Sequence, residues 1–85
     1  MADNEEKDYE WSVTVGDDKI QIDNQFSTTK LYVNGVYQDV YYGVIATIVR
    51  LYGKLSDGRQ VKVAIGGELK MHCSIFVDCE CVYED

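Results

Sequence analysis

From Trp11 onward, short runs rich in Val, Ile, Tyr and Thr alternate with turn-forming residues, the pattern of an antiparallel sheet protein. The alternation predicts strands near residues 10–15, 19–23, 29–34, 36–42, 44–54, 59–65, 68–77 and 80–84. The clearest local signal is Leu31-Tyr32-Val33-Asn34-Gly35-Val36-Tyr37-Gln38. There Asn-Gly separates two alternating runs and can take up the positive φ angles of a type I′ turn. A two-residue loop at Asn34 and Gly35 sets Val33 opposite Val36, Tyr32 opposite Tyr37 and Lys30 opposite Asp39. Leu31, Val33, Val36 and Val40 are then expected on the buried face. Lys30, Tyr32, Tyr37, Asp39 and Tyr41 are expected on the other.

A second passage, Ser74 to Asp85, repeats this grammar with what reads as a longer turn, and each hairpin is preceded by a turn and a short strand, Asp17 to Ile22 and Asp57 to Val63. The chain therefore reads as an all-β domain, a small antiparallel β-sandwich or a partly open barrel, built from two similar hairpin-containing halves. The halves would be residues 10–42 and 48–85, with residues 1–9 an acidic, disordered N-terminal tail. Tyr41 to Leu55 also admits a helical reading, apolar on every side. Its β-branched Val44, Ile45, Thr47, Ile48 and Val49 favour a strand. If Ile45, Val49 and Leu51 turn to the core, Val44, Ala46 and Ile48 face outward and need a cover, for which a second subunit is a natural candidate.

At 85 residues the chain has room for one small domain and little for a large internal cavity. Fifteen Asp and Glu against eight Lys and Arg give a net charge of −7, which repels phosphate backbones and anionic membranes at long range. Direct nucleic-acid binding and membrane binding are therefore not expected. No basic segment followed by an apolar stretch opens the chain, and the longest apolar run, Val44 to Val49, is too short to span a bilayer. Three cysteines, an odd number, cannot all pair within one chain, so reduced thiols and a cytoplasmic location are expected.

Those cysteines, Cys73, Cys79 and Cys81, with His72 beside the first, are the candidates for thiol or metal chemistry. On a strand His72 and Cys73 point to opposite faces, which disfavours a thiolate–imidazole pair. Cys79-Glu80-Cys81 with Cys73 or His72 offers soft metal ligands, yet the second ligand pair of a zinc site is missing and Cys73 falls at the far end of its strand. No metal or other cofactor is expected. Asp17, Asp18 and Asp57 read as turn caps. Gly66-Gly67 reads as a hairpin turn between Ile65 and Glu68, since it lacks the lysine and helix of a phosphate loop.

Seven tyrosines, with Tyr32, Tyr37, Tyr41 and Tyr42 around the first hairpin, are the most unusual feature. Exposed tyrosines offer large contact area at low entropic cost and a hydrogen-bonding tip. The function expected is thus non-catalytic protein interaction, through Tyr32, Tyr37, Asp39 and Tyr41 or through a homodimer at Val44, Ala46 and Ile48. The alternatives are an acidic inhibitor that mimics nucleic acid, and a small protein acting through its C-terminal cysteines.

Overall fold

A computed structural model describes residues 9–25, 27–45, 47–67 and 70–85. The strands are β1 (Tyr9–Val15), β2 (Asp18–Gln25), β3 (Thr28–Val33), β4 (Val36–Tyr42), β5 (Val49–Lys54), β6 (Gln60–Gly66), β7 (His72–Val77) and β8 (Glu80–Glu84). They form two four-stranded antiparallel sheets, β1-β2-β3-β4 (sheet A) and β5-β6-β7-β8 (sheet B), in the order of the chain. The sheets pack on each other as a sandwich and do not close into a barrel. Among the described residues there is no helix, and so none long and apolar enough to cross a membrane. Of the expected N-terminal tail, Tyr9 belongs to β1 and the rest lies outside the described residues.

Period-two patterning places one face of each strand in the core. Ile20, Ile22, Leu31 and Val33 from sheet A meet Leu51, Val61, Val63, Ile65, Cys73, Ile75 and Val77 from sheet B, with Trp11, Val49 and Leu55 completing the cluster. One polar pair lies inside this layer. Asn24 and Thr29 face each other across β2 and β3, and Asn24 Nδ2 donates to Thr29 Oγ1 at 2.7 Å. Among the described residues no buried side-chain polar atom is left without a partner, as burial of such groups requires.

Local geometry corrects several expectations. A bulge between Leu31 and Tyr32 on the pairing with β4 leaves Gln38 as an extra residue, so Asp39 stands opposite Leu31 and Lys30 opposite Val40, not opposite Asp39. One extra residue reverses every side chain beyond it. Tyr41 therefore pairs with the buried Thr29 and packs on the core, while Val40 moves to the outer side. Val36 keeps the expected partner, Val33, but is 60% exposed because it stands on an edge strand, lining an open groove with Gln38, Lys54, Leu55 and Ser56. The strand expected over 44–54 begins at Val49, and the one expected over 68–77 begins at His72, with Glu68 and Leu69 outside the described residues. Between Tyr42 and Val49 the chain must leave one sheet for the other, and a strand paired in one sheet cannot continue across that gap.

The second hairpin carries a tight turn, not a longer one. Asp78 (φ 49°) and Cys79 (φ 72°) take the same left-handed conformations as Asn34 (φ 53°) and Gly35 (φ 78°). A bulge between Ile75 and Phe76 matches the one between Leu31 and Tyr32, so the two hairpins share turn, register and irregularity. The first residues of the two turns also act alike: Asn34 Oδ1 accepts from Lys19 N at 2.9 Å, and Asp78 Oδ1 from Gln60 N at 2.9 Å.

Three polar latches join the sheets. At the turn end, Asp18 accepts from Asn34 Nδ2 at 2.7 Å and from Ser56 Oγ at 3.0 Å, tying sheet A to the β5–β6 turn. Along one side, Asp39 and Gln38 of β4 accept from the backbone N–H groups of Tyr52 (2.9 Å) and Lys54 (3.2 Å) on β5. On the opposite side Trp11 Nε1 donates to Asp85 Oδ2 at 3.0 Å.

The bonds from Asn34, then Ser56, hold the Asp18 carboxyl below its ordinary value of 3.8. Its stabilising effect is thus complete above that ordinary value and is lost as pH falls through the depressed folded-state value. Urea melts between about pH 5 and pH 2 should show stability falling below about pH 4, with a shallower fall in Asp18→Asn. In the core, Ile75→Ala should cost about 2–5 kcal/mol and lower the thermal midpoint by roughly 10 °C or more.

Candidate interaction surface

The β4 bulge decides which tyrosines share a face. Beyond it the outer side of sheet A carries Tyr42 where uninterrupted alternation would place Tyr41. Tyr32 and Tyr37 lie opposite each other on this face, their rings 6.3 Å apart and tilted by 59°, an arrangement favoured by aromatic quadrupoles. Desolvation, then the Tyr42 hydroxyl and the Asp39 carboxylate, raises the Tyr37 hydroxyl above its ordinary value of 10.0. Of the four residues expected to form the patch, Tyr32 and Tyr37 are brought together. Asp39 is turned toward β5, and Tyr41 lies against the core.

Other exposed apolar side chains lie along the neighbouring flank, where β4 meets β5. Val36, Tyr37, Tyr42, Val44, Ile48 and Tyr52 are each between 52% and 74% exposed. All six fall on β4, the crossover or β5, a continuous stretch of chain that forms one long side of the sandwich. Val44 and Ile48, expected to form a dimer patch on a strand, instead stand on the crossover, and Ala46 lies outside the described residues. Tyr52 is absent from the sequence-based expectation, and Tyr42 enters it as one of the hairpin tyrosines but outside the patch. The Tyr41-Tyr42 pair signals that one tyrosine must face outward, but choosing between them requires knowing where the bulge sits.

The backbone along this flank is already engaged. Gln38 and Asp39 cover two N–H groups of β5, and Gly53 makes room for them: a Cβ there would stand 3.0–3.2 Å from the Gln38 side chain. An added strand would have to displace both caps, which leaves side chains as the means of contact.

The other candidates are dispersed. Cys73 is fully buried, and burial pushes its thiol up to about 12, far from the thiolate range. His72 is exposed on the opposite side of the same strand. Cys79 occupies the β7–β8 turn, and Cys81 is exposed on β8 with Sγ 3.4 Å from the Tyr83 carbonyl. Among the described residues no three His, Cys, Asp or Glu side chains gather as metal ligands. Asp57 accepts from Arg59 N and Nε at the β5–β6 turn, and these bonds hold its carboxyl below the ordinary value.

Comparison with protein-family models, curated proteins and solved structures finds no match. The functional reading therefore rests on the surface itself.

Brief treatment of native protein with iodoacetamide should alkylate Cys79 and Cys81 and spare Cys73, which should react only after denaturation. Peptide mass mapping reads the three sites separately, and early labelling of Cys73 would contradict the packing described.

Proposed function

We propose that the protein is a non-catalytic interaction module that binds a protein partner through the β4–β5 flank. The observation that carries this reading is that, among the described residues, the six large apolar side chains that are exposed all fall on one stretch of chain, from β4 through the crossover to β5. Single exposed apolar residues are ordinary on a protein surface, whereas a cluster is a recurring mark of contact sites. Tyrosines bury much area while losing few rotamers, and the Tyr37 hydroxyl adds a donor that does not ionise near neutral pH. A second copy of the chain is one partner that would cover Val44 and Ile48. Three free cysteines, two of them exposed, suit the reducing cytoplasm.

The nucleic-acid-mimic reading has less support. Asp18, Asp39, Asp57, Asp78 and Asp85 all accept hydrogen bonds from the protein's own donors. Such carboxylates serve turns and latches, whereas mimicry calls for a spaced row on one face.

The test compares wild type with Tyr37→Ser/Tyr42→Ser. Both residues are exposed, so the thermal midpoint should move little. Capture of the wild type's partner from lysate, and any self-association measured by sedimentation equilibrium, should weaken at least about tenfold. Unchanged capture and unchanged self-association in the double variant would sink the proposal.

A further inference from the structure

The outer face of sheet B differs in charge from the molecule as a whole. Strands β5, β6 and β7 contain no carboxylate. Their outward positions carry Arg50, Lys54 and Lys62, together with Tyr52 and Phe76. The register sets Tyr52, Lys62 and Phe76 in one row across the three strands, with Lys62 Nζ 5.2 Å from the centroid of the Phe76 ring. The neighbouring row is Arg50, Ala64 and Ser74, whose two small side chains make a shallow floor beside the aromatic row. Among the described residues the one ion pair joins Arg59 to Asp57, and Arg50, Lys54 and Lys62 have no carboxylate partner.

This cationic area is an island. Asp57 and Asp78 stand at its turn end, and Glu80 and Glu84 run along β8 beside it. From β5 to β7 is two strand spacings, about 10 Å, and from Arg50 to Lys54 is about 13 Å at the rise of a β-strand. An extended segment of about four residues fits those dimensions. A polynucleotide would run past the island onto the surrounding carboxylates, on a protein that already carries a net charge of −7.

We propose that the outer face of β5–β7 binds a short acidic peptide segment. Its carboxylates are held by Arg50, Lys54 and Lys62, and an adjoining aromatic or apolar side chain lies against Tyr52 and Phe76. The argument is charge complementarity within a bounded area, and it is independent of the tyrosines of β4. Only Tyr52 borders both surfaces.

The test is an amide NMR titration of the full chain with a six-residue peptide of alternating glutamate and tyrosine, at about 50 mM salt. Hexathymidylate and an alternating lysine–tyrosine hexapeptide are run as comparisons. The expected result is saturable shifts centred on Arg50, Tyr52, Lys62 and Phe76, with affinity at least about tenfold lower in Arg50→Glu/Lys62→Glu and in about 0.5 M salt. The amide spectrum of that variant reports its fold, and Lys54→Glu gives the same readout from a single change. Shifts confined to other strands, no saturation, equal binding of the lysine peptide, tighter binding of hexathymidylate, or unchanged affinity in a folded charge-reversed variant would each overturn the proposal. Because these variants leave Tyr37 and Tyr42 in place, failure here leaves the β4–β5 reading intact.

Discussion

An all-β chain of this size has no helix with which to cover a sheet, so each sheet must hide its apolar face against the other. Everything else follows from that single layer of burial between Ile20, Ile22 and Leu31 on one side and Val63, Ile65 and Ile75 on the other. A sandwich made this way has two open sides where edge strands meet without pairing. On one side the gap is bridged by Trp11 and Asp85, and on the other by Gln38 and Asp39 reaching to β5. The second bridge depends on the β4 bulge, which adds one residue and aims two consecutive polar side chains at the facing edge.

That bulge links packing to the candidate surface. By reversing the strand beyond it, the bulge turns Tyr41 into the core and Tyr42 out to solvent, beside Tyr37. The capping of β5 then blocks the edge against further strand pairing at Tyr52 and Lys54, while the side chains of the same region stay exposed. The crossover adds Val44 and Ile48, because a segment leaving one sheet for the other is covered by neither. The outer faces diverge as well. On sheet A, two acids and a cation, Glu10, Asp23 and Lys30, form a row across adjacent strands, whereas on sheet B three cations share an area free of acids.

Most of the fold was legible in the sequence because it is written in period two. The Asn-Gly turn fixed the pairing of Tyr32 with Tyr37, and β-branched runs marked the other strands. A bulge leaves no such mark, since nothing in Tyr37-Gln38-Asp39 identifies Gln38 as the extra residue. The error in Lys30, Val40 and Tyr41 follows from that one point. The Asp78-Cys79 turn was read as longer because cysteine lacks the left-handed preference of glycine. Its match to Asn34-Gly35 becomes evident only from the φ angles. The tyrosine signal was legible as composition, but its joining to Val44, Ile48 and Tyr52 depends on how β4 and β5 lie together, which no local pattern encodes.

The central claim, that the β4–β5 flank is where this protein meets its partner, is tested most directly by placing a photo-crosslinking amino acid at Tyr42. The control places it at Thr14 on β1, far across sheet A. On irradiation in lysate the account predicts a discrete adduct from position 42, either a partner protein or a second copy, and none from position 14. Equal adducts from both positions, or an adduct from position 14 alone, would contradict it.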